Sequence, residues 1–244
     1  MNQKNLIIGV GAVLVVAGLG YAFAFRPLAA PSPVPSTTQE QQQPPTETTP
    51  TPAEQPSLSG DTQGATIYRI ASEESKAEFN LGEVLRGEPF LVVGTTTQVT
   101  GDIALNMTNP SASQVGKISI NARTFKTDAS NRDRMIGRFI LESEKPEYEL
   151  ITFETTKIEG IPAEVKVGES FDVKLTGNLK IRDVVKEVTF AGRVKLENED
   201  RLIGDASTQV MREDYKLVIP DVPFVASVDQ EVILKIAFVA KKAQ

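Results

Sequence analysis

Two groups of basic side chains are the residues of this sequence best suited to binding chemistry. The first surrounds Arg132 and the second contains Arg212. An arginine at the rim of a cavity can hold a phosphate or another anionic head group through two parallel hydrogen bonds. Arg132 and Arg212 are therefore candidate head-group contacts. Alternatively, these arginines pair with acidic neighbours such as Asp128 and Glu142 on a solvated surface.

Most catalytic chemistry is excluded by what the sequence lacks. The 244 residues include no His and no Cys, which removes the Ser-His-Asp triad, thiol catalysis, disulfides and zinc sites built from His or Cys. The sequence also contains no GxSxG or SxxK pattern and no acidic cluster with the spacing of a calcium loop. An enzyme acting on lipids would need a pair of carboxylates, and none stands out. We therefore expect no enzymatic activity, no metal and no cofactor.

The first 26 residues have the composition of a membrane anchor. Residues 5–25 are uncharged and almost wholly apolar, and about 20 such residues in a helix cross a bilayer. We expect a transmembrane helix at residues 1–26, with the rest of the chain outside the cytoplasm because Lys4 favours an inner N-terminus. A cleaved signal segment, which would leave an exported or periplasmic protein, is the alternative. Small residues four apart, such as Gly18 and Ala22, would also allow a homodimer.

Residues 27–64 and 65–244 differ sharply in composition. The first of these segments holds nine of the fifteen prolines together with many Thr, Gln and Ser residues. It has too little apolar surface to offset the entropy of ordering, so we predict a disordered linker. The second segment is long enough to bury about 70% of its unfolded surface in a single core. The net charge of −6 argues against a nucleic-acid partner, since phosphate binding needs a concentrated basic face.

Apolar and polar residues alternate through much of the domain at residues 65–244. The clearest run, FDVKLTGNLKI at residues 171–181, has apolar side chains at Phe171, Val173, Leu175, Leu179 and Ile181. Side chains of a strand alternate between its two faces, so this pattern predicts one apolar wall and one solvated wall. Similar runs recur between Asn, Gly and Pro turn signals. Seven or eight short strands in an antiparallel barrel or sandwich are therefore expected.

One segment departs from this alternation. Between residues 127 and 146, Met135, Ile136, Phe139 and Ile140 follow helical spacing, and Ser130 with Asp133 resembles a capping box. We predict a short helical insertion that covers the mouth of a barrel as a lid or plugs one of its ends.

The apolar wall allows two interpretations. A small barrel can be filled by its own side chains, or an eight-stranded barrel can leave room for one ligand. Alternation alone does not distinguish a solid interior from a hollow one. If the interior is hollow, the candidate ligand-binding wall consists of Phe79, Leu105, Ile120, Phe153, Leu175, Leu179 and Phe190.

The order of several segments resembles the YceI family of lipocalin-like lipid-binding proteins. The segments that carry the resemblance are YRI at 68–70, SKAEF at 75–79, VTGDIAL at 99–105, NARTFKTDASNRDRMI at 121–136, KPEYELITFETTKI at 145–158, GNLKIRDVVKEVTF at 177–190 and MREDYKL at 211–217. The resemblance covers about residues 68–240. It implies an exported, eight-stranded antiparallel barrel with a short helical insertion, whose apolar interior holds an isoprenoid or another long-chain lipid.

Two departures from the family pattern limit what the resemblance implies. Many members carry histidines beside the serine of the first strand and after the RD pair, where this sequence has Glu74 and Met135. A histidine-dependent role is therefore not carried over. The first hypothesis is a membrane-tethered carrier of a polyisoprenoid, quinone or fatty acyl lipid. The alternative is a non-catalytic envelope interaction module with a solid barrel.

Overall fold

The computed structural model describes residues 64–221, Pro223 and 225–243, together with Leu58 and Thr62. The predicted N-terminal anchor at residues 1–26 and nearly all of the predicted linker at 27–64 lie outside the described residues. Within the described part, none of the helices combines the length and the apolar character that crossing a bilayer requires.

Within the described residues, twelve strands form one curled antiparallel sheet. They are β1 (Thr66–Ile70), β2 (Lys76–Leu85), β3 (Glu88–Thr96), β4 (Val99–Thr100), β5 (Asp102–Leu105), β6 (Gln114–Val115), β7 (Ile118–Asn121), β8 (Leu150–Glu159), β9 (Ser170–Ile181), β10 (Val184–Asn198), β11 (Arg201–Met211) and β12 (Val225–Lys242). The mostly-β class and the antiparallel pairing agree with the sequence-based expectation.

The predicted count of eight strands was wrong because short interruptions divide the described residues into more strands. A 3₁₀ turn at Ser72–Glu74 separates β1 from β2, and both of these strands pair with β12. Likewise, β3, β4 and β5 follow one another along the chain but pair with β2, β7 and β1, respectively. Each interruption lets the chain bend toward a different neighbour, and the sheet curls around its interior.

The connections between strands lie at two opposite ends of the sheet. We call one the helical end, because it carries the β2–β3 turn, the β9–β10 turn and the long connections from β7 to β8 and from β11 to β12. The N-terminal end carries the start of β1, the β10–β11 turn and the end of β12. The described chain therefore enters the domain at the end opposite the helical insertion.

The N-terminal end is closed by packed side chains. Tyr68, Leu196 and Leu202 are almost fully buried there, and the Tyr68 hydroxyl donates a hydrogen bond to the Glu199 carbonyl oxygen at 2.9 Å. Leu196 lies opposite Leu202 on β10 and β11, and Leu202 lies opposite Ala240 on β12. This cluster fills the N-terminal end of the fold.

The helical insertion between β7 and β8 is one element with two geometries. An α-helix, α1, spans Ser130–Met135 and continues as a π-helix at Ile136–Ile140. Further 3₁₀ turns lie at Pro110–Ala112, Ala122–Thr124, Pro146–Tyr148 and Arg212–Tyr215. A short helix was therefore predicted correctly at this place in the chain.

Two details of the predicted helix were wrong. The residue that caps α1 is Ala129, without a side-chain cap, because the Asp133 carboxylate instead accepts hydrogen bonds from the Thr127 amide and hydroxyl, each at 2.7 Å. Phe139 is 51% exposed, whereas Ile136 is buried. In the π-helix the Leu141 amide reaches back five residues to Ile136, and this wider turn shifts Phe139 off the inner face.

Candidate functional site: a divided apolar interior

The curled sheet encloses two adjoining apolar cavities. The inner cavity has a volume of about 160 Å³ and lies within the strands. The helical-end cavity has a volume of about 330 Å³ and lies between the strands, the helical insertion and the connection that leads into β12. The interior of the described domain is thus neither packed solid nor one uninterrupted tube.

All nine residues predicted for the site line one of the two cavities. Those on the inner cavity are Leu105, Ile120, Phe153, Leu175, Leu179 and Phe190. Those on the helical-end cavity are Phe79, Arg132 and Arg212. The period-two pattern therefore placed the apolar candidates on the inner face, while their contact with a ligand stays a prediction.

Glycines opposite aromatic residues shape this interior, and sequence analysis missed them. A Cβ atom built on Gly94 would lie 2.1 Å from the Phe79 ring, and one built on Gly177 would lie 2.9 Å from the Phe153 ring. Only glycine leaves room for the rings to lie against the wall at these points. The signal available in the sequence is a glycine on the inner face across from a phenylalanine, as in the Phe79–Gly94 strand pair.

Further aromatic contacts hold the rings in place. Phe153 packs edge-to-face on Phe190 with ring centroids 5.1 Å apart, and Phe79 packs similarly on Phe125 at 5.4 Å. Such pairs contribute about 0.5–1.5 kcal/mol beyond the area that they bury. The cavity walls are therefore ordered by ring packing before any ligand enters.

Arg132 lines the helical-end cavity but already has protein partners. Its Nη2 atom lies 3.0 Å from Oε1 of Glu83, its Nη1 atom pairs with Asp128, and its guanidinium lies 5.4 Å from the centroid of the Phe90 ring. The Glu83 side chain is only 8% exposed, so this pair is the less solvated of the two. The predicted head-group contact would have to share or replace these partners.

Arg212 holds the start of the connection between β11 and β12. Its Nε atom donates to the Asp229 carbonyl oxygen at 3.0 Å, and Nη1 donates to the Leu217 carbonyl oxygen at 3.2 Å. Asp229 belongs to an irregular part of β12 between Val228 and Val232. The guanidinium thus fixes the backbone at the cavity edge, and its predicted head-group role stays a prediction.

Arg182 fixes the helical insertion to the sheet, and sequence analysis did not single it out. Its Nη2 atom lies 2.6 Å from Oε1 of Glu142, and Nη1 donates to the Ile140 carbonyl oxygen at 3.2 Å. The guanidinium also lies 5.5 Å from the centroid of the Tyr148 ring. Hydrogen bonding from Lys145, with the nearby charge of Arg182, holds the pKa of Glu142 below its ordinary value. The β9–β10 turn is therefore bonded to the segment that covers the helical-end cavity.

Replacing Arg182 should loosen this segment. The change Arg182→Ala is expected to lower the free energy of unfolding by about 1.5–3 kcal/mol, because it removes the charge-assisted hydrogen bond to the Ile140 carbonyl oxygen. Urea denaturation measures the loss. Arg134→Ala is the matched control, since Arg134 lies exposed on the same insertion and bonds only to Asn131 among described partners. Equal stabilities of the two variants would contradict the anchoring role.

Tyr215 is a buried tyrosine at the helical end. It closes the 3₁₀ turn at Arg212–Tyr215, is 1% exposed, and its hydroxyl has no hydrogen-bond partner among the described residues. Burial, with a smaller contribution from the charge of Asp214, raises the pKa of Tyr215 to about 12. The fold therefore favours the neutral phenol.

The raised pKa of Tyr215 predicts a loss of stability at high pH. The pKa of Tyr215 is higher in the folded chain than in the unfolded one. The free energy of unfolding therefore keeps its full value below about pH 10 and falls by roughly 2–3 kcal/mol as the pH rises toward about 12. We expect Tyr215→Phe to remove this part of the pH dependence. At neutral pH the variant should equal or exceed the wild type by about 1 kcal/mol, because the lost hydroxyl has no described partner. Urea denaturation at pH 8 and pH 11 tests both effects, and a destabilised variant at neutral pH would reveal a hydrogen bond to that hydroxyl.

A curled antiparallel sheet around an apolar interior, with a short helix at one end, defines the class of barrel-like β proteins with an internal cavity. The model of the YceI-like domain matches residues 68–240. The chain therefore belongs to the YceI family, which confirms the resemblance seen in the sequence.

Individual relatives agree with this assignment. The UPF0312 protein Ent638_1570 of Enterobacter sp. (strain 638) is 26% identical over 186 residues, which cover 73% of this chain and 89% of the relative. A polyisoprenoid binding domain from Saccharophagus degradans, implicated in plant cell wall breakdown, matches 73% of this chain and 99% of its own with a TM-score of 0.57 and 12% identity. Burkholderia cenocepacia BcnA matches 70% of this chain and 99% of its own with a TM-score of 0.54 and 16% identity. At these identities the two structures show a shared fold.

Proposed function

We propose that the domain binds a long-chain amphipathic lipid and holds its tail in the apolar interior. The observation that carries this proposal is the pair of adjoining cavities whose lining surface is almost entirely apolar. The charged side chains of Glu83, Arg132 and Arg212 line the helical-end cavity. A tail directed inward would thus leave its polar head group beside charged residues.

The size of the hydrophobic effect supports useful affinity. Enclosing ~400 Å² of tail surface at about 25 cal/mol per Å² gives roughly 10 kcal/mol. Association costs of about 4 kcal/mol or more must be subtracted. The remainder, at most about 6 kcal/mol, corresponds to a dissociation constant on the order of tens of micromolar.

The fold relationship supports a lipid tail as the ligand class. The Saccharophagus degradans domain with the same fold is described as polyisoprenoid binding, and an isoprenoid, a quinone tail and an acyl chain are similar as elongated apolar guests. The role we propose is that of a carrier or buffer without catalysis. It would act outside the cytoplasm, with residues 1–26 as a membrane anchor or export signal.

Extraction of the purified chain tests this function. The full chain is produced in a bacterial host, purified without detergent and extracted with organic solvent, and the extract is analysed by mass spectrometry. A long-chain lipid recovered reproducibly at a fixed ratio to protein is the expected result. An empty extract, combined with no uptake of an added isoprenoid alcohol, would overturn the proposal and favour an interaction module instead.

A further inference from the structure

Four side chains separate the two cavities. Phe125, Ile151, Ile181 and Leu234 line both the inner cavity and the helical-end cavity. We call these four residues the partition. A tail that occupies both cavities must pass between them, so the partition controls how much of the interior one ligand can use.

Neither cavity alone has room for a long tail. An apolar cavity of about 150 Å³ holds a guest the size of benzene, and the inner cavity has about the same volume at 160 Å³. The helical-end cavity, at about 330 Å³, offers roughly twice that space. A short tail therefore fits the helical-end cavity by itself, whereas a longer one requires the two cavities to join.

Three of the four partition residues are held by the sheet. Ile151 on β8 lies opposite Ile120, Ile181 on β9 lies opposite Val184, and Leu234 on β12 lies opposite Phe79. Because ladder hydrogen bonds fix the backbone on both sides, the directions of these side chains are fixed as well. Ile151 and Ile181 are in addition β-branched, which restricts rotation about χ1.

Phe125 differs from the other three because it lies outside the named strands. It follows the 3₁₀ turn at Ala122–Thr124, and the next residue, Lys126, exchanges two backbone hydrogen bonds with Thr95 at 2.8 and 2.9 Å. The backbone at this point is thus fixed, and the Phe125 side chain can move only by rotating about its own side-chain bonds. That rotation breaks its edge contact with Phe79, which has an intermediate exposure and borders the larger cavity.

We infer that Phe125 determines the length of the lipid tail that the domain accepts. With the ring in its observed position, the helical-end cavity takes a short tail. With the ring turned aside, the two cavities join and a longer tail enters. This inference rests on the proposed function, since it assigns a length limit to the same interior.

A chain-length series tests the inference. Geraniol, farnesol and geranylgeraniol share a head group and have successively longer isoprenoid tails. Each is added at equal concentration to the purified full chain and to Phe125→Ala, and the bound fraction of each alcohol is measured by native mass spectrometry. We expect the bound ratio of geranylgeraniol to geraniol to rise about threefold to tenfold in the variant, which is the range that the loss of one aromatic contact gives. Phe125→Leu provides a second, milder variant with the same expected direction if Phe125→Ala does not fold.

Phe139→Ala is the matched control. It makes the same chemical change at a phenylalanine that is exposed and lines neither cavity, so its length ratio should stay within about twofold of the wild type. An unchanged ratio in Phe125→Ala and Phe125→Leu, with all alcohols still bound, would overturn the role of Phe125 and leave lipid binding intact. Failure of the wild type to bind any of the alcohols would overturn the proposed function itself.

Discussion

Ala206→Phe is expected to block the inner cavity while leaving the domain folded. Ala206 lies on β11, is 7% exposed and lines this cavity. The cavity volume of about 160 Å³ is close to that of an apolar cavity which accommodates benzene. The added phenyl ring would therefore occupy the space that we assign to the far end of a tail.

The expected result is a loss of affinity for geranylgeraniol of tenfold or more. Excluding ~100 Å² of tail surface from the interior removes about 2.5 kcal/mol, and each tenfold in the dissociation constant corresponds to about 1.4 kcal/mol. Native mass spectrometry over a range of alcohol concentrations measures the change. Filling a cavity commonly stabilises a protein by about 0.5–2 kcal/mol, so the midpoint of thermal unfolding should not fall.

Ala191→Phe provides the matched control for this experiment. Ala191 is exposed on β10 and lies opposite Ser207, the residue next to Ala206. The same ring is thereby placed on the outer face of the neighbouring strand, where affinity should be unchanged. Wild-type affinity in Ala206→Phe would show that long tails do not use the inner cavity.

Phe153→Ala is expected to produce the largest loss of stability. Phe153 is 7% exposed, packs edge-to-face on Phe190, and lies against Gly177, which leaves room for its ring. Removing a buried phenyl ring costs the transfer free energy of its atoms and enlarges a cavity that the sheet cannot close. The free energy of unfolding should fall by about 3–5 kcal/mol.

Phe139→Ala is the control for this second experiment. It makes the same change at a phenylalanine that is 51% exposed, and a surface substitution of this kind stays within about 0.5 kcal/mol. Urea denaturation of both variants gives the comparison. A loss below about 1 kcal/mol for Phe153→Ala would mean that the inner wall rearranges to fill the space.

The faces of the strands could be predicted because the rule that sets them is local. Side chains alternate along any strand, so Leu175 and Leu179 were assigned to the apolar wall without knowledge of their partners, and both line the inner cavity. The same rule applies to Leu105 and Phe190. A repeat of two residues therefore contained most of the information about which side chains face inward.

The partition could not be predicted because it depends on residues that are distant in the chain. Phe125 adjoins Leu234 and Ile181 only after the sheet has curled, and no local pattern encodes this. The role of Arg182 also depends on a distant contact, since its partner Glu142 lies in the helical insertion. The predicted number of strands was wrong for another reason, because Gly101 divides the alternating run at residues 99–105 into β4 and β5, which pair with different strands.

The packing at the N-terminal end has a consequence for the exchange of a bound lipid. The side chains of Tyr68, Leu196 and Leu202 fill that end, whereas the larger cavity lies at the helical end beside the insertion. Under the proposed function, a lipid would enter and leave past the helical insertion. Its exchange rate would then depend on how firmly Arg182 holds that segment to the sheet.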